Sequence, residues 1–223
     1  MCGHACAVLG RQDRFADRQE AGRALAGRLQ LLGLTDPIVL ALPRGGVPVA
    51  AQVAAALDVP LEVFVARKIG LPGQPEFGVG ALAEGGEPLL DDDVLSRLGL
   101  SRQALADTVA RERQELARRV AHYRGDRPLP DLAARTVVLV DDGLATGVTA
   151  RASLQALRLA GPARLVLAVP VCAPDTARAL AEEADDVVCV LQPAGFGAVG
   201  AWYERFDQTS DEHVLELLAA AGR

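Results

Sequence analysis

Short apolar runs alternate with helical segments along most of this chain. The clearest runs are IVLAL at 38–42, TVVLV at 136–140 and ARLVLAVPV at 163–171. Nearly every residue in them is apolar, as expected of strands that are buried on both faces of a parallel sheet. Helical spacing follows the first two runs, at 47–57 and 148–160. This order of elements predicts an α/β fold with a mainly parallel central sheet flanked by helices.

Composition and charge limit where the protein works and what it binds. The chain has 223 residues, half of them apolar, which is enough to bury the core of one domain. Its formal net charge of -6 offers no basic field to a nucleic acid. No apolar run approaches the roughly 18 residues of a membrane span, and the start, MCGHACAVLGRQDRF, lacks the apolar core of a signal peptide. We therefore expect a cytoplasmic protein with neither a nucleic-acid nor a membrane partner.

The composition and spacing of the sequence change near the middle of the chain. Residues 93–123 are charged and helical in spacing, with only a thin apolar stripe. Breaks rich in glycine or proline bracket this helix, which predicts an inserted helical arm at about 91–131 rather than a second core. We expect a single domain over 15–223, preceded by a loosely attached or disordered N terminus over 1–14.

The stretch VVLVDDGLATGVT at 137–149 is the strongest candidate for a ligand-binding site in the chain. Two adjacent carboxylates, Asp141 and Asp142, follow an apolar strand, and small residues then lead into a predicted helix. Ligands of parallel sheets bind beyond the carboxyl ends of the strands, and the N–H groups at a helix start attract anions. The carboxylates can accept hydrogen bonds from vicinal hydroxyls, so a sugar phosphate satisfies both halves of this segment. A helix cap would explain only one of the two aspartates.

These residues resemble the phosphoribosyl-pyrophosphate (PRPP) motif of type I phosphoribosyltransferases. LPRGGVPVA at 42–50 resembles the pyrophosphate loop of that family, and ARKIGLPGQPEFGVGALAEGG at 66–86 resembles a bacterial subgroup of unknown acceptor. The resemblance covers about 15–218. It implies a type I phosphoribosyltransferase-like fold, with the inserted helical arm and a C-terminal hood added to the central sheet.

The resemblance also implies an activity. Members transfer the 5-phosphoribosyl group from PRPP to a nucleobase-like nitrogen acceptor with release of pyrophosphate, or catalyse the reverse reaction. It implies Mg²⁺ as cofactor, PRPP and a small-molecule nitrogen acceptor as partners, and a homodimer. The alternative is a non-catalytic regulatory protein that senses PRPP or a nucleotide on the same fold.

Site residues follow from the resemblance position by position. The motif acids of the family bind ribose hydroxyls, a role that falls to Asp141 and Asp142, with contact to Mg²⁺ through those hydroxyls or water. Together with Arg44 and Lys68 at the pyrophosphate, they are the implied catalytic residues. The other implied PRPP-binding residues are Gly45, Gly46, Arg67, Gly143, Leu144, Ala145, Thr146, Gly147 and Thr149. The family often holds a non-proline cis peptide in its pyrophosphate loop, which implies unusual backbone geometry within 43–45.

Two basic residues follow the second predicted strand. LEVFVA at 61–66 is predicted to be a strand of the main sheet that ends in Arg67 and Lys68, so that both meet the aspartates at one sheet edge. Family members often place a basic residue here against pyrophosphate. The glycine- and proline-rich residues 69–76 are predicted to form a loop, a candidate for closing over the site.

Four of the eight aromatic residues of the chain crowd into 196–206. Two interpretations stand side by side: an aromatic stack over a planar acceptor, or a small core that anchors the C-terminal segment. Under the first, the candidate acceptor-binding residues are Phe196, Trp202 and Tyr203, with Phe206 nearby.

Overall fold

The computed structural model of the chain describes residues 14–222, which contain two β-sheets. The strands are β1 (Pro37–Ala41), β2 (Leu61–Val63), β3 (Ala66–Leu71), β4 (Gln74–Ala83), β5 (Leu89–Leu90), β6 (Thr136–Val140), β7 (Arg164–Val171) and β8 (Asp186–Leu191). The main sheet is parallel throughout, with strand order β2-β1-β6-β7-β8. The second sheet is antiparallel, with order β3-β4-β5.

Helices cover both faces of the main sheet. They are α1 (Arg18–Leu29), α2 (Gly46–Leu57), α3 (Asp92–Leu98), α4 (Ala106–Arg124), α5 (Val148–Leu159), α6 (Pro174–Leu180) and α7 (Asp211–Ala221). Within the described range, none of them is long and apolar enough to cross a membrane. The prediction of a loose N terminus over 1–14 falls, except for its last residue, on residues 1–13, which lie outside the described residues.

The near-continuous apolar runs are buried on both faces, and this confirms the α/β fold. Along β1, Val39 lies in one apolar cluster with Leu25 of α1 and Val53 of α2. Its neighbour Leu40 lies in a second cluster with Leu154 of α5. Successive strand side chains point to opposite faces, so a strand between two helix layers needs apolar residues at every position.

The segment after β2 differs from its prediction. The main-sheet strand ends at Val63, and the chain then crosses to the antiparallel sheet, where Arg67 and Lys68 lie inside β3 rather than at the end of a parallel strand. Residues 69–76 are a β-hairpin rather than a loop, and its two-residue turn has Gly73 at φ +82°. The apolar run LEVFVA spans both strands without a break, so its pattern does not reveal the change of sheet.

The charged middle segment also differs from one continuous helix. It is divided at Gly99, which ends α3 in the left-handed conformation at φ +63°. The following helix, α4, packs against β3 and β4. Its Leu116 and Tyr123 are buried in the same cluster as Val39, so this part of the predicted arm is docked on the protein body. The division into a domain and an inserted arm stays a prediction.

A buried arginine at the end of α4 binds residues next to both sheets. Arg124 is 4% exposed, forms an ion pair with Glu84 just beyond β4, and donates a hydrogen bond of 3.2 Å to the carbonyl oxygen of Val63. Removing one partner of a buried ion pair is costly because the other charge stays buried. These contacts hold α4 against both sheets.

The docking of α4 onto α7 provides a test of this packing. The hydroxyl of Tyr123 donates to the carboxylate of Asp211 in the first turn of α7. We expect Tyr123→Phe to lower the free energy of unfolding by about 1 kcal/mol, since one hydrogen bond is lost and the ring is kept. Urea unfolding measures this change. In an Asp211→Ala background the same substitution should have little effect, and an equal loss there would contradict the contact.

Candidate active site

Two helices begin at the same edge of the main sheet without a side-chain cap. Strands β1 and β6 are neighbours, and they lead into α2 through Gly45 and into α5 through Gly147. In contrast, Asp17 caps α1 and Asp91 caps α3. The first N–H groups of a helix have no partner within it, so α5 presents a set of donors at this edge. At α2 the N–H groups of Gly46 and Val47 already donate to the carbonyl oxygens of Leu42 and Arg44, and Pro48 has none, so the donors there are the N–H groups of Arg44 and Gly45 before the helix, which have no acceptor among the described residues. Such donors bind anions.

The predicted acidic pair lies between these two helix starts. The carboxylate of Asp141 accepts a hydrogen bond of 2.8 Å from the backbone N–H of Asp142. Burial raises the pKa of Asp141 well above its ordinary value, and the neighbouring Asp142 raises it further. Burial also raises the pKa of Asp142, and the Arg18 guanidinium opposes that rise. The two carboxyls are therefore held in a site that favours hydrogen-bond donors and cations.

The PRGG segment at 43–46 packs directly against this pair. The peptide bond between Pro43 and Arg44 is cis, which confirms the unusual geometry that the resemblance implies. A Cβ atom on Gly45 would lie 2.0 Å from Oδ2 of Asp142, and one on Gly46 would lie 2.8 Å from the carbonyl oxygen of Val140. Only glycine allows this approach. The side chain of Arg44 extends toward α7, where Nη1 lies 4.0 Å from Oδ1 of Asp211.

The turn between Asp142 and α5 is hydrogen-bonded to the end of β7 and the residues after it. The N–H of Leu144 donates to the carbonyl oxygen of Val171 at 3.0 Å, and its carbonyl oxygen accepts from the N–H of Ala173 at 3.0 Å. Leu144 is also buried. Its N–H is therefore already used, and the implied role of Leu144 as a phosphate-binding position is wrong in this geometry. The turn needs Leu144 as an internal anchor instead.

The other residues of the turn contribute in different ways. A Cβ on Gly143 would lie 2.6 Å from Cγ1 of Val199, so glycine is required by close packing. Gly147 has φ +68°, which glycine adopts without strain. Ala145 is exposed, and its carbonyl oxygen accepts from Thr176. The two threonines of the segment face a cavity.

A cavity of about 770 Å³ joins the turn to the antiparallel sheet. Its lining includes Thr146, Thr149 and Arg151 from the turn and α5, and Lys68 from β3. The structure thus brings Lys68 to the predicted phosphate site by a different route from the predicted one. Three consecutive aspartates, Asp91, Asp92 and Asp93, also line the cavity.

Arg67 lies apart from this group. Its Nε and Nη2 atoms are each 2.8 Å from Oε2 of Glu112 on α4, and it does not line the cavity that holds Thr146. Arg67 and Lys68 line a second cavity together, and of the two only Lys68 also lines the cavity that holds Thr146. The prediction that both basic residues meet the aspartates is wrong for Arg67.

The aromatic residues form a small core, the second of the two interpretations. Phe196 and Tyr203 are buried with Phe15, and Nε1 of Trp202 donates to the carbonyl oxygen of Phe196 at 2.9 Å. The hydroxyl of Tyr203 donates to the backbone carbonyl oxygen of Asp142 at 2.5 Å. Tyr203 therefore links the small aromatic core to the aspartate turn. Among the four aromatic residues, Phe206 is the most accessible, at 37%.

Sequence reasoning missed Arg18. Its Nε lies 2.9 Å from Oδ2 of Asp142, although 124 residues separate the two in the chain. No local signal marks it, because α1 carries two further arginines, Arg23 and Arg28, with the same helical character. Only the packing of α1 at the sheet edge places Arg18 against the acidic pair.

The acidic pair also defines what cation the site can hold. The described residues contain no group of three or more aspartate, glutamate, histidine or cysteine side chains placed to bind a metal ion. Two adjacent carboxylates suit a hard cation such as Mg²⁺, which keeps several waters and takes few protein ligands. The donor set therefore fits a cation held by Asp141 and Asp142 together with water and ligand oxygens.

Burial of Asp141 has a consequence for stability. Its folded-state pKa lies above the ordinary value of 3.8, so the unfolded chain releases this proton more readily and ionisation reduces stability as pH rises through that interval. We expect Asp141→Asn to raise the free energy of unfolding at pH 7 by about 1 kcal/mol, with the gain shrinking as pH falls toward 3.8. Thermal unfolding without added metal measures it. A variant less stable at pH 7, or a gain that grows on acidification, would contradict this account.

Comparisons with known proteins agree with this geometry. A family model described as a phosphoribosyl transferase domain matches residues 12–204. Two Mycobacterium tuberculosis proteins, from strains H37Rv and CDC 1551, whose name of phosphoribosyl transferase is provisional, are 46% identical over 209 residues. The match covers 94% of this chain and 47% of each relative, so the chain spans about half the length of the curated relatives it matches.

A solved structure covers nearly the same residues. The crystal structure of the protein TT1426 from Thermus thermophilus is 45% identical and superimposes with a TM-score of 0.79. The match covers 93% of this chain and 98% of that one. The arrangement of two sheets and flanking helices is therefore shared with a protein solved by experiment.

Proposed function

The chain belongs to the phosphoribosyl transferase domain family, and we propose that it transfers the 5-phosphoribosyl group of PRPP to a nucleobase-like nitrogen acceptor, with release of pyrophosphate, or catalyses the reverse reaction. The observation that carries the proposal is the uncapped start of α5 and the N–H groups of Arg44 and Gly45 before α2, on either side of two partly buried carboxylates. PRPP has a phosphate at one end, a pyrophosphate at the other, and a diol between them.

Each part of PRPP has a counterpart at the sheet edge. The start of α5, with Thr146 and Thr149, takes the 5-phosphate. The PRGG segment before α2 takes the pyrophosphate, with the N–H groups of Arg44 and Gly45 as donors and Gly46 allowing the close approach of the backbone. Asp141 and Asp142 lie between them and accept hydrogen bonds from the ribose hydroxyls. Lys68, which lines the cavity beside Thr146, supplies a positive charge near the phosphates.

The proposed reaction exchanges one bond at ribose C1 for another. The C1–O bond to pyrophosphate breaks with its electron pair going to the leaving group, and the acceptor nitrogen forms a C1–N bond and loses its proton. Negative charge grows on pyrophosphate as the bond breaks. The backbone N–H groups of Arg44 and Gly45 stabilise this charge because the backbone holds them in place before the reaction begins, and the side chains of Arg44 and Lys68 add positive charge.

Mg²⁺ is part of the proposal as a cofactor. When bound, it neutralises negative charge on the pyrophosphate. Asp141 and Asp142 would hold it through water or through the ribose hydroxyls. We also include a cytoplasmic location and a homodimer in the proposal, and sedimentation velocity would test the dimer.

Calorimetric titration of PRPP with Mg²⁺ into the wild-type protein tests the first step. We expect saturable binding, followed by pyrophosphate release when the correct acceptor is found in a screen of purine and pyrimidine bases. Absence of heat and of any thermal shift at millimolar PRPP would contradict the proposal. Binding without pyrophosphate release from any acceptor would favour a protein that senses PRPP.

A further inference from the structure

Arg18 at the start of α1 is held from three directions. Its Nε lies 2.9 Å from Oδ2 of Asp142, its Nη1 donates to the carbonyl oxygen of Asp207 at 2.7 Å, and its guanidinium carbon lies 3.9 Å from the ring centroid of Phe206. The side chain is 12% exposed. A planar guanidinium with two hydrogen-bonded edges and a ring against its face has little freedom to turn.

Asp142 is consequently held at all but one of its acceptor atoms. Arg18 engages Oδ2, Gly45 approaches the same oxygen too closely to admit a side chain, and Tyr203 donates to the backbone carbonyl oxygen. Within residues 14–222, no other residue donates a hydrogen bond to Oδ1 of Asp142, and only the N–H of Asp142 itself lies near its carboxylate besides Arg18. This oxygen is the acceptor that the arrangement leaves to a ligand.

We infer that Arg18 is a positioning residue for the ribose site, which holds Oδ2 of Asp142 so that Oδ1 is directed at a ribose hydroxyl. The inference rests on the proposed function. It assigns α1 a part in sugar recognition, although none of the motifs recognised in the sequence lies there.

The physical reason for such a residue lies in the carboxylate itself. The terminal torsion of an aspartate is broad, so its carboxylate does not keep one orientation unless its surroundings hold it. Asp141 beside it carries the same charge and would push it away from the shared site. Arg18 both opposes that repulsion and selects one orientation, whereas an apolar residue would do neither.

Deoxy sugars separate this role from a merely structural one. The probes are ribose 5-phosphate and its 2-deoxy and 3-deoxy analogues, titrated into wild type, Arg18→Met, Arg18→Lys and Arg23→Met. The methionine keeps much of the apolar contact with Phe206, and Arg23 is an exposed arginine of the same helix, so Arg23→Met controls for loss of charge on α1. Thermal unfolding in each case reports whether the variant is folded.

We expect wild type and Arg23→Met to prefer ribose 5-phosphate to at least one deoxy analogue by about tenfold or more, as for a hydrogen bond to a charged acceptor. In Arg18→Met this preference should fall toward one, while affinity for that deoxy analogue stays within about twofold of wild type. Arg18→Lys should keep an intermediate preference, because one ammonium cannot serve both Asp142 and Asp207 in the same way. If Arg18→Met does not fold, the preference measured for Arg18→Lys tests the inference: an intermediate preference supports it, and a preference equal to that of wild type contradicts it.

Three outcomes would overturn the inference, and they are distinguishable. A preference that survives in Arg18→Met, or an equal loss of affinity for all three sugars, removes the positioning role and leaves the proposed function standing. Wild-type protein that binds none of the sugar phosphates and no PRPP contradicts the proposed function, and the role of Arg18 falls with it.

Discussion

Replacing Asp141 and Asp142 together with asparagine is expected to lower the affinity for PRPP at least about 100-fold. A hydrogen bond to a charged group contributes roughly 1.5–3 kcal/mol, and two are lost when both carboxylates become amides of the same shape. Calorimetric titration with Mg²⁺ present measures the change. The double variant should stay folded, because the substitutions relieve the burial of two adjacent charges.

The matched control removes two negative charges elsewhere. Asp107 and Asp126 are exposed, and Asp107→Asn/Asp126→Asn changes the net charge by the same amount. We expect this control to bind PRPP like wild type. If both double variants lose affinity equally, the effect is one of overall charge, and the acidic pair has no specific role in binding.

A single methyl group in the PRGG segment is expected to have an effect of similar size. Gly45 has φ -62° and ψ -32°, which alanine adopts freely, so Gly45→Ala acts only through its Cβ atom. That atom would lie 2.0 Å from Oδ2 of Asp142 and 3.4 Å from Nε of Arg18. The segment and the aspartate turn must move apart, and we expect PRPP affinity to fall about 100-fold because displacements of about 1 Å at a site have effects of this order.

Gly27→Ala is the control for this substitution. Gly27 lies in α1 with open space around its Cβ position, so alanine there should stabilise the helix by up to about 1 kcal/mol and leave PRPP binding unchanged. A Gly45→Ala protein that is folded and binds PRPP like wild type would show that the contact between the segment and Asp142 relaxes without consequence. Calorimetry and thermal unfolding of both variants decide this.

The parts of the fold that were predictable are those written in consecutive residues. Strands β1, β6 and β7 are uninterrupted apolar runs, and the helices after the first two have regular spacing. Asp141 and Asp142 are found between two helix starts because the carboxyl ends of neighbouring parallel strands lie at one edge. The strand-to-helix order placed the acidic pair and the PRGG segment at the same edge of the sheet, and the family resemblance implied that the two act together.

The features that sequence analysis missed depend on where a strand ends and on where its side chains lie, and neither can be read from composition. The run LEVFVA continues through Phe64 and Val65, where the chain leaves one sheet for another, and both positions are buried. The cavities that Arg67 and Lys68 line depend on that crossing. A cluster of aromatic residues in the sequence predicts that their rings are buried. It does not show whether they are buried against a ligand or against each other in a core.

Local order along the chain thus decided the fold class and the acidic pair, because strand burial and helix starts are properties of neighbouring residues, and the family resemblance implied the glycines beside the pair. Folding in three dimensions decided that Leu144 is an anchor, that Tyr203 supports the turn, and that Arg18 holds Asp142. Each of these contacts joins residues from separate elements. Such pairings depend on how whole helices and strands pack, which no single stretch of sequence contains.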